Sequence, residues 1–262
     1  MTTNSNGGTL ARALWEARRD GRQVRIDDRD RPRDEAGAYA VQRGITEASG
    51  YEIVGYKIGA TAQVAMDLLG VSGPFFGPLY REAFRENDAA IALPMAHSPV
   101  IEAEFAVRLA ADLPPRAEAW TKAEVEAAVA WVGPAFEIVG TRLESGLPGA
   151  GMLAIADGGA NIDFVCGPTG GAWRDADLTA HSVTLRINEV EVASGHSGML
   201  VFGDPVSGVM WLANHPELGA RGLKAGDVVT TGTCTGIKPL SPGDEAEADY
   251  GALGMVRARF SG

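Results

Sequence analysis

The stretch PVIEAEFAVRL, residues 99–109, sets Glu102 and Glu104 two positions apart in a run that otherwise reads as a buried strand. Side chains alternate faces along a strand, so Glu102 and Glu104 project to one side while Ile101, Ala103 and Phe105 project to the other. Like charges on one face repel unless water, a proton or a cation intervenes. The stretch alone leaves two readings open, a solvated strand face or part of a cation site.

A third carboxylate bears on that choice. In GPAFEIVG, Glu137 sits between Phe136 and Ile138 with no basic neighbour, and a buried carboxylate without a partner is costly. Three carboxylates from two strands, with no adjacent cysteine or histidine, describe an oxygen-only site with open positions, suited to Mg²⁺ or Mn²⁺ rather than zinc. Asp157, in AIADGGA, is a candidate for its outer shell and also reads as a turn residue before two glycines. Lys57, in GYKIG, is either a surface-facing strand lysine or one whose ammonium reaches a cleft; there it would transfer protons or pair with a substrate carboxylate.

The remaining chemistry is sparse. His97, His181, His196 and His215 are scattered and each reads as a structural or surface residue rather than a catalyst; His196 also lies in the glycine-rich ASGHSGMLVFGDP, where a loop can approach a ligand closely. Ser194, Ser197 and Ser207 lack the GxSxG context of a nucleophile elbow. The glycine-rich segments match neither a P-loop nor a dinucleotide fingerprint.

The whole chain narrows the function class. Its 262 residues, 45% hydrophobic, suffice for a sizeable core, and a formal charge of -11 argues against polyanionic partners such as nucleic acid or an anionic membrane. A small ligand is expected, and an anionic one is compatible if a metal ion or local lysine inverts the field. Cys166 and Cys234 carry no pairing motif, so no disulfide framework or cysteine zinc site is expected, and the cytoplasm is the default compartment. The polar start MTTNSNGG reads as a short frayed end rather than a targeting segment. No window approaches the roughly 20 apolar residues of a membrane helix, so a soluble protein is expected.

Along the chain, helical spacing from Thr9 to about Ser49 includes a stripe of Ala38, Val41 and Ile45, with Asp34 as a cap. YEIVGYKIGA reads as a strand and AQVAMDLLG as a short helix. From Ala89 the segments are mostly strand-like, except TKAEVEAAVAWVG, where Thr121 and Glu124 form a capping box for a helix. GDVVTTG reads as a strand, and EAEAD and MVRARF as antiparallel neighbours. The pattern predicts an α+β protein: a helical N-terminal α/β lobe over residues 1–80 and a β-rich domain over 81–262.

Taken in order, GYKIGAT, IEAEFAVRL, PAFEIVGTR, IADGGANIDFVCG, GDPVSGVMWLAN and GDVVTTGTCTG resemble the 2-keto-4-pentenoate hydratase and 4-oxalocrotonate decarboxylase family of the fumarylacetoacetase-fold superfamily. The resemblance covers nearly everything after residue 10. It implies a C-terminal domain with a mixed, rolled sheet and a homo-oligomeric assembly. It further implies Glu102, Glu104 and Glu137 as ligands of Mg²⁺ or Mn²⁺, and Lys57 as the active-site lysine. Thr233, in TGTCTGIKPLSPGD, is implied as a substrate contact, and Asp157, Ser194 and His196 are the other candidates for substrate binding.

Two positions depart from the family's pattern. Phe75, in GPFFG, stands where its hydratases commonly carry an acidic residue, and Gly158 stands where an Asn usually follows the Asp. The first removes a proton-transfer partner and the second weakens the case for Asp157. The implied reaction is metal-dependent water addition to a 2-hydroxy-2,4-dienoate, giving a 4-hydroxy-2-oxo acid. Decarboxylation of a 2-oxo-3-enedioate is the alternative and better tolerates Phe75, because it needs no activated water. Acylpyruvate hydrolysis and a non-catalytic partner subunit are more distant alternatives.

Overall fold

The structure, a computed structural model, describes residues 5–170 and 172–262. Its helices are α1 (Ser5–Arg19), α2 (Glu35–Ser49), α3 (Gln63–Leu69), α4 (Lys122–Ala127), α5 (Met152–Ala156) and α6 (Pro205–Ala213). The strands in the first half are β1 (Ile53–Gly59), β2 (Phe75–Tyr80), β3 (Phe84–Glu86), β4 (Ala89–Ala92), β5 (Val100–Leu109) and β6 (Val129–Val139). There follow β7 (Asn161–Cys166), β8 (Val183–Ile187), β9 (Val190–Gly195), β10 (Val228–Thr233), β11 (Lys238–Pro239), β12 (Glu245–Asp249) and β13 (Met255–Ser261).

Helix and sheet combine as the α+β reading requires. An eight-stranded mixed sheet has the order β2-β1-β10-β5-β6-β7-β3, with β11 beside β5. It is parallel at β1–β10 and β3–β7, and antiparallel across its centre. A second sheet has the order β4-β13-β12-β8-β9. The apolar face of β5, with Ile101, Ala103 and Phe105 fully buried, joins one core with Ala246, Val256 and Phe260 of the second sheet. Phe105 meets Tyr250 edge-on at 5.1 Å. That packing turns the Glu102–Glu104 face the other way.

The local signals explain most elements. Asp34 caps α2 by accepting from the Gly37 amide, and Gly50, in the left-handed region, ends it. Thr121 and Glu124 form the capping box of α4. EAEAD and MVRARF pair antiparallel from Glu245–Arg259 to Asp249–Met255. Both cysteines are free and buried.

Several expectations need correction. The helix foreseen over TKAEVEAAVAWVG stops at Ala127, and Val129 onward is strand, because the alternating Val129 and Trp131 pair with β5 rather than continue the helix. Helices α5 and α6 were not foreseen, and α1 begins at Ser5 rather than Thr9. Of the start read as frayed, residues 1–4 lie outside the described residues. The boundary at residue 80 does not separate two hydrogen-bonded units, since β1 and β2 belong to the same sheet as β5, β6 and β10. No described helix is long and apolar enough to cross a membrane.

Candidate metal and active site

The register of the central strands assembles the carboxylates. Glu102 on β5 lies directly opposite Glu137 on β6, and Glu104 follows on the same face. One oxygen from each of the three lies within 4.8 Å of the others, the sole group of this kind found among the described residues. Glu104 and Glu137 are buried, and Glu102 is half-buried.

Neighbouring strands hold these side chains in place. Thr230 Oγ1 and the Gly232 amide, the latter at 2.9 Å, donate to Glu104 Oε2 from β10. Gly232 adopts φ +101°, and a Cβ there would lie 1.8 Å from Thr61 Oγ1, so only glycine brings this amide to the carboxylate. Asn161, the first residue of β7, donates from Nδ2 to Glu137 Oε1 at 3.1 Å. Lys57 Nζ, from β1, stands 3.5 Å from the same oxygen, with both side chains almost fully buried. Glu137 Oε2 has no hydrogen-bond partner.

The electrostatics show one positive charge set against three acids. Burial, and next the charge of Glu137, push the Glu102 carboxyl up to about 7, with the Lys57 ammonium opposing. Burial and the charges of Glu137 and Glu102 hold Glu104 well above the usual carboxylate range, against the hydrogen bonds from Thr230 and Gly232. Three converging carboxylates, one oxygen without a donor, and the absence of a nitrogen or sulfur ligand fit a hard divalent cation held by oxygen.

A cavity of about 140 Å³ opens over this cluster. Lys57, Glu102, Glu104 and Thr233 contribute to its wall, as does Phe75. The Phe75 ring centroid lies 5.5 Å from Lys57 Nζ, and Gly59, paired with Phe75, keeps the two in contact. Gly159, at φ +68°, packs where a Cβ would come within 2.2 Å of Lys57 Cε. The lysine is therefore clamped between a ring and a backbone turn.

The four substrate-contact candidates separate here. Thr233 lines the cavity, and its hydroxyl donates to the Gly236 carbonyl at 3.2 Å, bracing the loop after β10. Asp157 is corrected to a structural role. Its carboxylate accepts from Arg142 Nε at 2.7 Å, the Arg142 amide at 3.1 Å and Thr141 Oγ1 at 3.2 Å, so it is fully engaged away from the cavity wall. Ser194 pairs with Thr184 in the second sheet, and His196 Nδ1 contacts the Thr179 carbonyl at 3.0 Å; neither belongs to the cavity lining. Sequence reasoning missed Asn161, Thr230 and Gly232. A polar residue opening the apolar run NIDFVC was the available signal for the first.

The fold and the site together define a class: an α+β enzyme scaffold whose central sheet presents a carboxylate cation site and a buried lysine to one small-molecule cavity. Residues 74–261 match the fumarylacetoacetate (FAA) hydrolase C-terminal model, and the chain belongs to that family. It is 31% identical over 265 residues, covering 100% of both chains, to the 2-keto-4-pentenoate hydratase of Burkholderia vietnamiensis (strain G4 / LMG 22486). It is 34% identical over 221 residues, 83% of this chain and 81% of the other, to the 2-hydroxyhexa-2,4-dienoate hydratase of Comamonas testosteroni. Among solved structures, 4-oxalocrotonate decarboxylase from Pseudomonas putida G7, complexed with magnesium and adipate, superposes with a TM-score of 0.86 at 29% identity over 99% of each chain.

Proposed function

We propose that this protein is a divalent-metal-dependent hydro-lyase that adds water to a 2-hydroxy-2,4-dienoate and yields a 4-hydroxy-2-oxo acid. The observation that carries this reading is the convergence of Glu102, Glu104 and Glu137 oxygens within 4.8 Å beside Lys57 Nζ, with Lys57, Glu102 and Glu104 in the wall of a small cavity. The hydratase names of relatives above 30% identity, matched over more than four-fifths of each chain, support the same reading.

Glu102, Glu104 and Glu137 would hold Mg²⁺ or Mn²⁺, which when bound would supply Lewis acidity that stabilises negative charge developing on the 2-oxo acid head of the substrate. Thr230, Gly232 and Asn161 fix the orientation of two of these carboxylates before substrate arrives. Lys57 Nζ is the group that moves protons. Clamped by Phe75 and Gly159, it can deliver a proton to C5 of the dienol as the 2-hydroxyl gives up its own, and water then adds across the C3–C4 bond of the resulting 2-oxo-3-enoate, hydroxyl to C4 and proton to C3. The Phe75 ring shields one side of that ammonium from solvent. Thr233 is proposed as a hydrogen-bonding contact to substrate at the cavity wall.

A second reading, decarboxylation of a 2-oxo-3-enedioate, is favoured by Phe75. No carboxylate occupies that position to activate water, and loss of CO₂ needs none. A proton NMR time course of Mg²⁺-loaded protein with 2-hydroxypenta-2,4-dienoate and, separately, 2-oxohex-3-enedioate distinguishes the two. The hydratase reading predicts 4-hydroxy-2-oxopentanoate from the first and loss of turnover in Glu102→Gln. CO₂ release from the second without hydration of the first would transfer the assignment to the decarboxylase.

A further inference from the structure

Depth orders the chemistry of the cavity. At the floor lie Lys57 and Glu104, both buried, with half-buried Glu102. Above them the wall includes Leu69, Phe75, Val139, Leu147 and Ala154. At the mouth stand Leu68, 42% exposed, and Ile237, 48% exposed. Of the described residues lining the cavity, Lys57 is the one cation, and it is already engaged with Glu137.

The mouth adjoins more apolar surface. Val64 shares α3 with Leu68, and the Val201 amide donates at 2.8 Å to the carbonyl of Thr61, itself a cavity residue. Both are more than half exposed. Four of the seven exposed large hydrophobic side chains among the described residues thus lie on segments framing one opening, a concentration that single scattered residues would not produce. Of the cations closest in sequence, Lys238 stands opposite Ile101 in the β11–β5 ladder and so shares that residue's sheet face, away from Glu102, and Arg142 is locked onto Asp157.

Resting on the proposed 2-oxo acid reading, we infer that the substrate's distal end is an uncharged hydrocarbon tail that runs from the carboxylate floor past Leu147 and Leu69 to Leu68 and Ile237. A second carboxylate at that end would be desolvated against apolar walls without a counter-ion. Each added methylene removes apolar surface from water until the tail clears the rim.

Direct binding to Mg²⁺-loaded protein tests this without turnover. Isothermal titration compares 2-oxobutanoate, 2-oxohexanoate, 2-oxooctanoate and 2-oxoadipate, which share one head group. The inference predicts a gain of about three- to fourfold in affinity per methylene from four to six carbons. It predicts 2-oxoadipate to bind about tenfold or more weakly than 2-oxohexanoate. Leu68→Arg, at an exposed position that folding tolerates, should narrow or reverse that ratio, and Ile237→Lys should act in the same direction. Equal or tighter binding of 2-oxoadipate to the wild type, or affinity independent of tail length, overturns the tail while leaving the head-group reading standing. Failure of all four to bind metal-loaded protein overturns the 2-oxo acid reading and this inference with it.

Discussion

Glu137 has one carboxylate oxygen shared between Asn161 and Lys57 and the other without a donor, so one neutral hydrogen bond and the Lys57 ion pair orient it. Asn161→Ala removes that bond while leaving all three carboxylates. The expected result is a folded protein that binds Mn²⁺ about tenfold or more weakly, read by isothermal titration. Gly232→Ala attacks the site from the other side. Its Cβ would collide with Thr61 and its φ is unfavourable, so the Glu104 amide contact should be lost with about 1–3 kcal/mol of stability, measured by urea denaturation. The three glutamates and Lys57 were legible in the sequence because charge inside an apolar run is conspicuous. Asn161, Thr230 and Gly232 were not, since an ordinary polar residue or glycine gains its role only from the strand packed beside it.

At the scale of elements, the buried Arg142–Asp157 pair joins the segment after β6 to the turn before β7. That turn carries Gly159 against Lys57. Asp157→Ala leaves a buried guanidinium with its carboxylate partner removed, so a loss of about 3–5 kcal/mol in unfolding free energy is expected. The Mg²⁺ affinity of the fraction that stays folded should change little, whereas a substrate-orienting Asp157 would lower substrate affinity at unchanged stability. The sequence showed Asp157 as a conspicuous acid but not Arg142 as its partner, fifteen residues earlier. The strand in AVAWVG was likewise obscured, because the capping box at Thr121 is a strong local signal and the pairing of β6 with β5 is a nonlocal one.

At the scale of the whole molecule, the acidic cluster sets a pH dependence. In the unfolded chain Glu102 and Glu104 titrate near 4.5, while in the fold Glu102 is pushed up to about 7 and Glu104 is held well above the ordinary carboxylate range, burial being the main cause of both. The metal-free folded protein therefore holds more protons than the unfolded chain above about pH 4.5, and its stability falls as pH rises toward and beyond 7. Thermal unfolding of EDTA-treated protein from pH 5 to 8 should show this decline, and Glu102→Gln should flatten it. Mg²⁺ should restore more stability at pH 8 than at pH 5, because it replaces protons on the same oxygens.

The α+β class, the paired strands at the C-terminus and the carboxylate face were all readable from alternation and charge placement. The joining of β1 and β2 to the central sheet was not, because parallel pairing with β10 spans most of the chain. That long-range pairing brings Lys57 to the three glutamates, and the functional account depends on it. Mn²⁺ titration followed by electron paramagnetic resonance, with oxalate added as a mimic of a 2-oxo acid head group, tests that assembly most directly. One Mn²⁺ per chain, lost in Glu137→Gln and with its spectrum altered by oxalate, is the predicted result. Absence of a stoichiometric Mn²⁺ site, or one indifferent to both Glu137→Gln and oxalate, would contradict it.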